Sequence, residues 1–191
     1  MVVCQCSRLE DMVSSFYYNM KVIGKVNRVY KIDLLLSLKT IPIRVVEDKI
    51  MNLVGDKNVY HLLWSFLHLP IIDQNGNNRK GTMGFTGIPA VGEISKVILN
   101  IILSETFDRE FPKWFPGIRF CRFRNSVFIF TNEKVILDEK PLYMLLGEQS
   151  LVGKIESIGS GDEALMCYND KVVFVDSDGV VQLCERTEDS F

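Results

Sequence analysis

The sequence predicts an α+β protein, with antiparallel strands packed on helices and a small C-terminal β-hairpin region. Three observations carry this prediction. Apolar residues recur at intervals of three and four in separate stretches between residues 6 and 107. Two aromatic and β-branched runs flank a polar join in FCRFRNSVFIF, residues 120–130. From Lys154 onward the chain divides into short β-type runs separated by turn residues.

Residues 6–23 hold Leu9, Met12, Val13, Phe16, Tyr17 and Met20 at helical spacing. RVYKIDLLL, 28–36, reads as a buried strand. Two helices follow: 42–54 through Ile43, Val46, Ile50, Leu53 and Val54, and 57–69 through Tyr60, Leu63, Trp64 and Leu67. The stretch IIDQNGNNRKGTMGFTG, 71–87, is rich in glycine and asparagine and reads as an exposed loop or hairpin. Helical spacing returns over 93–107, and the two prolines of FPKWFPG, 111–117, are expected to end that helix. A hairpin follows, with strands 120–123 and 127–130 joined by Arg124, Asn125 and Ser126.

The tail offers runs at 154–158, 164–168, 171–175 and 180–184, read as two hairpins. Asp176, Asp178 and Gly179 have the front of a calcium loop, but Glu185, six positions after the glycine, falls in an alternating run, so a turn is expected. GSGDE, 159–163, lacks the Lys-Ser/Thr ending of a phosphate-binding loop and also reads as a turn. Composition shifts near 140–150, which predicts a main region 1–150 and an extension 151–191.

The 191 residues, 47% of them hydrophobic, are enough for a real core. Net charge is −2 and the sequence pI is about 5.8, so the bulk balance does not announce nucleic acid. Locally the balance reverses. Lys21, Lys25, Arg28, Lys31, Lys39 and Arg44 stand against Asp33 as the single acid between residues 21 and 44. The five cysteines, at 4, 6, 121, 167 and 184, form neither a disulfide framework nor paired zinc spacing, which predicts a reducing compartment. No apolar run approaches the roughly 18 residues of a membrane span, and the N-terminus has neither a secretory core nor an Arg-rich presequence. No Ser/His/Asp or Cys/His arrangement stands out, and His61 and His68 fall in an apolar helical stretch.

Three motifs in order give the chain a family likeness. YKIDLLLSLKTIP carries Asp33 on a strand, then Leu38-Lys39, then Ile41-Pro42. Gly87, Pro89, Gly92, Ser95, Asn100 and Ile101 stand at fixed offsets over fifteen residues. Arg122-Phe123-Arg124-Asn125-Ser126-Val127 forms the hairpin tip. Over about residues 10–150 this resembles the palm and fingers of a reverse transcriptase of the group II intron maturase type. In that family the first motif supplies a metal-binding aspartate, the second reads Gly-x-Pro-Gln-Gly-Gly-x-x-Ser-Pro, and the hairpin tip supplies two more aspartates. Here Ala90, Val91 and Lys96 depart from the second motif, and Asn125 and Ser126 stand where both hairpin acids would be.

The resemblance implies that strand 28–36 lies antiparallel beside the hairpin, with Asp33 close to Asn125. It also implies a catalytically degenerate site. Magnesium seeks carboxylate and phosphate oxygens, and an amide with a hydroxyl does not replace two carboxylates. No metal or cofactor, and no enzyme activity, is therefore expected. What the likeness leaves is RNA binding that assists organellar folding or splicing, through Lys21, Lys25, Arg28, Arg79, Lys80, Arg122 and Arg124. A structural module binding protein subunits of a larger assembly is the alternative. The family points to the mitochondrion, with the chloroplast as alternative, and no membrane association is expected.

Overall fold

The computed structural model describes residues 4–6, 9–23, 26, 28–70, 87–88, 92–132, 135, 137–159, 161–168, 171–175 and 181–185. The chain divides into two compact units. The first comprises residues 1–33, 115–140 and 154–191, the second 34–114 and 141–153.

The first unit is built on a five-stranded sheet of β1 (Cys4–Cys6), β2 (Arg28–Asp33), β3 (Arg119–Phe123), β4 (Ser126–Thr131) and β5 (Lys154–Gly159), in the order β1-β3-β4-β2-β5. Four of these strands run antiparallel in sequence across the sheet, and β1 adds a parallel edge on β3. β4 lies between two partners, and Val127, Phe128, Ile129 and Phe130 are buried on both of its faces. An uninterrupted apolar run is the pattern such a strand requires. β2 is mixed instead, with Val29, Tyr30 and Ile32 buried, Lys31 half-buried, and Arg28 and Asp33 exposed at its ends. Helix α1 (Leu9–Ile23) presents Met12, Ser15, Phe16 and Asn19 on one buried face, and the Phe16 ring meets Phe128 and Phe130 edge-on at 5.1 and 5.0 Å. The polar members of that face are satisfied, since Asn19 Nδ2 donates to the Ser15 carbonyl at 2.9 Å.

The second unit is helical: α2 (Ser37–Thr40), α3 (Ile43–Leu53), α4 (Lys57–Leu67), α5 (Gly92–Glu105), α6 (Phe107–Trp114), and α7 (Glu139–Glu148) from Pro141 onward. Asp56 caps α4 by accepting from the backbone N–H of Asn58 at 2.7 Å and of Val59 at 3.3 Å. Gly87 is needed where it stands. Its φ is +87°, and a Cβ there would lie 2.8 Å from the Lys39 carbonyl oxygen. Without one, Gly87 and Ile88 donate to the carbonyls of Ile41 and Leu38.

Five expectations change. β2 ends at Asp33 rather than 36, because the N–H groups of Ser37, Leu38 and Lys39 turn back onto the carbonyls of Leu34, Leu35 and Leu36. The helix 93–107 breaks at Thr106, whose hydroxyl donates to the Ile102 carbonyl, and its continuation α6 carries Pro112 inside it. The proline forfeits one bond only two residues before the helix ends. The four tail strands exist, but not as two hairpins: β5 joins β2, while β6 (Gly161–Tyr168), β7 (Lys171–Val175) and β8 (Val181–Glu185) form a separate antiparallel sheet. The expected boundary near 150 is accordingly replaced by units that interleave along the chain, and Gly161–Glu163 lies in β6 rather than in a turn. The loop expected at 71–87 lies, apart from Gly87, outside the described residues, as does the turn expected at 176–179.

Candidate functional site

Strand register brings one row of side chains together at one end of the five-stranded sheet. Phe123 pairs with Ser126, Ser126 with Asp33, and Asp33 with Lys154, so these four share a face across β3, β4, β2 and β5. Two positions along, the same face carries Cys121, Phe128, Lys31 and Glu156. Phe16 rests on Phe128, so α1 closes the aromatic part of the face, and the exposed remainder toward β2 and β5 is charged.

Arg124 and Asn125 make the two-residue turn between β3 and β4. Arg124 has φ +56°, and Asn125 is not among the residues of positive φ. That pattern belongs to a II′ turn, whose first position is ordinarily glycine. An arginine there carries backbone strain of order 1–3 kcal/mol. Asn125 Nδ2 donates to Asp33 Oδ1 at 2.8 Å, which closes the turn onto β2. Arg122, one residue before Phe123, is enclosed at 1% exposure, and its Nη1 donates to the Arg124 carbonyl at 3.2 Å. The Arg124 guanidinium lies 5.4 Å from the centre of the Phe123 ring, on the face that carries Asp33.

Lys154 Nζ meets Glu156 Oε1 at 2.7 Å. That hydrogen bond holds the Glu156 carboxyl below its usual range, with Lys31 acting in the same direction and Asp33 opposing it, and raises the Lys154 ammonium in return.

These donors do not fit a divalent cation. Asp33 contributes one carboxylate, and its Oδ1 already accepts from an N–H, which is the wrong polarity for a metal neighbour. Ser126 and Asn125 bring a hydroxyl and an amide, with the amide nitrogen turned inward to Asp33. Among the described residues no group of three or more His, Cys, Asp or Glu side chains could hold a metal ion. None of their helices is long and apolar enough to cross a membrane.

Asp33, Asn125 and Ser126 thus meet as the sequence motifs imply. The cations named from sequence do not all join them. Arg124 is exposed at the tip. Arg122 is a correction: it follows the strand alternation into the interior and serves the turn's backbone, so it offers no charge to a surface ligand. Arg28 is exposed at the far end of β2, about 17 Å from Asp33 at the rise of an extended strand. Lys21 stands on α1, and Lys25, Arg79 and Lys80 lie outside the described residues. Lys31, Lys154 and Glu156 border the site without having been singled out as site residues. Alternation in RVYKID could have flagged Lys31, on the side of Asp33, but nothing local marks Lys154 as a neighbour 121 positions away.

No family model matches the chain. A maize protein described as an uncharacterized 39 kDa protein in mitochondrial S-1 and S-2 DNA is 26% identical over 182 residues, covering 93% of this chain and 52% of that protein. Among solved structures, telomerase from Candida albicans, in complex with a fragment of telomeric RNA, matches with a TM-score of 0.57 at 11% identity, over 96% of this chain and 36% of that one. Apo telomerase from Candida tropicalis matches with a TM-score of 0.54 at 11% identity, over 95% and 40%. The chain therefore spans about half of the maize relative and two fifths or less of the telomerase chains. The likeness is one of fold, to a reverse-transcriptase-related enzyme.

Proposed function

We propose that this chain is a reverse-transcriptase-like palm and fingers of maturase descent that binds structured RNA, assisting its folding or splicing, and does not polymerise. The observation that carries the reading is the hydrogen bond from Asn125 to Asp33. It occurs where a palm would gather its metal-binding carboxylates, and it satisfies Asp33 with an internal donor instead of an ion. A nucleotidyl transfer centre needs cations to lower the pKa of the attacking hydroxyl and to neutralise the transferring phosphate, and this donor set supplies neither. Similarity to telomerase, one example of which is described with RNA bound, supports RNA as the partner class. Similarity to a protein of maize mitochondrial DNA supports a mitochondrial setting.

Primer extension on an RNA template with magnesium or manganese tests the non-catalytic half of the proposal. The expected result is no product above a blank. Extension that disappears in Asp33→Ala would overturn it.

A second reading, a structural subunit that binds other proteins, is favoured by α4. There Leu62 is 65% exposed on the side away from buried Leu63 and Leu67, Val59, one turn before Leu63 on the same stripe, is 46% exposed, and Leu69 just beyond the helix is 49% exposed. Under that reading affinity purification returns a fixed set of proteins and no RNA.

A further inference from the structure

We infer that the hairpin tip is a metal-independent contact for the RNA phosphodiester backbone, in which Arg124 presents the charge and buried Arg122 is the positioning residue that holds it in place. The inference rests on the RNA-binding reading above and deepens it.

Arg124 occupies the single position of a two-residue turn where φ is +56°, a conformation glycine adopts without cost. A side chain there must be held by its surroundings. Two bonds do so on opposite faces of the sheet. Asn125 Nδ2 reaches Asp33 Oδ1 at 2.8 Å on one face, and Arg122 Nη1 reaches the Arg124 carbonyl at 3.2 Å from the other. Arg122 is the largest fully buried side chain described, and burying a guanidinium is costly unless its donors are used. The result is an exposed guanidinium set over the ring of Phe123, whose row across the sheet carries Ser126, Asp33 and Lys154. A planar guanidinium donates to two phosphate oxygens at once and keeps its charge at any relevant pH, so it can fill an electrostatic role that an ion would otherwise fill. Such a contact reads no base sequence, since phosphate contacts position rather than specify.

The test measures binding of a fluorescein-labelled oligouridylate and of a duplex RNA, in EDTA, over a salt series. Variants are Arg124→Gly, Arg122→Met and the double substitution, each with its thermal midpoint. Arg124→Gly removes the charge and relieves the strain together. It is expected to keep or raise the midpoint, to weaken both RNAs by a similar factor, and to reduce the salt slope by about 0.7 on the single strand and 0.9 on the duplex. Arg122→Met is expected to lower the midpoint and weaken RNA binding. Adding Arg124→Gly to it should recover part of the midpoint, because glycine needs no brace, while leaving affinity at the Arg124→Gly level. A purely structural Arg122 would leave the midpoint change on Arg124→Gly the same whether residue 122 is Arg or Met, and that result would overturn its positioning role, which requires a larger gain in the Arg122→Met background. Wild-type binding with an affinity and slope that Arg124→Gly leaves unchanged would overturn the contact alone. Absence of any RNA binding at low salt would overturn the RNA reading and this inference with it.

Discussion

β4 and β5 flank the same strand and teach opposite lessons. β4 is apolar on both faces, its aromatic rings gripped by Phe16, and it holds β2 in a register that brings Asp33 to Ser126. β5 lies at the sheet edge, places Lys154 and Glu156 beside Asp33 and Lys31, and owes its position to backbone pairing with little burial beyond Ile158. One flank builds the scaffold, and the other sets the charge around its open end.

The comparison breaks most readily on the β4 side. Phe128→Ala, at a fully buried position against Phe16, is expected to cost about 3–5 kcal/mol, read from urea unfolding. A loss under about 1 kcal/mol would mean that β4 is not the centre of the core. At the tip the effect is smaller and carries a signature. Asn125→Asp sets a second carboxylate at hydrogen-bonding distance from Asp33, and is expected to lower stability at neutral pH by about 1–3 kcal/mol. Magnesium should recover part of that loss, since an ion that binds only the folded state raises its midpoint. The wild-type midpoint should not respond to magnesium, and a variant equally indifferent would count against the palm geometry.

The β5 side should yield least. The Glu156 carboxyl is held below its ordinary 4.5 by Lys154, so its contribution is present above that value and is lost as pH falls through the lower folded value. Both partners are largely in solvent, so screening leaves the pair a small, salt-sensitive contribution. Thermal midpoints of wild type and Glu156→Gln should differ slightly at neutral pH and converge in acid. A gap that widens in acid would reverse the sign assigned to this pair.

What could be read from sequence follows the same division. The hairpin, its antiparallel contact with β2 and the meeting of Asp33 with Asn125 were legible, because apolar continuity in SVFIFT and a strand-borne aspartate are local signals tied to ordered motifs. β5 as a partner of β2 was not, because KIESIG looks the same whether it pairs with its neighbour or with a strand far back in the chain. Arg122 was misread because a charge in a short strand invites a surface reading, while alternation about the hairpin turns it inward. Pro112 was misread as a stop, although the helix runs through it for two more residues without the bond its N–H would have made to the Asp108 carbonyl.

The proposed service of this sheet end to RNA without a metal is addressed most directly by one measurement. Wild-type protein is titrated into a structured RNA in EDTA across a salt series, then again with magnesium. The expected result is binding in EDTA whose log affinity falls linearly with log salt and is at most modestly lowered by magnesium acting as a competing cation. Binding that appears only when magnesium is supplied, or no binding at low salt in either condition, would contradict it.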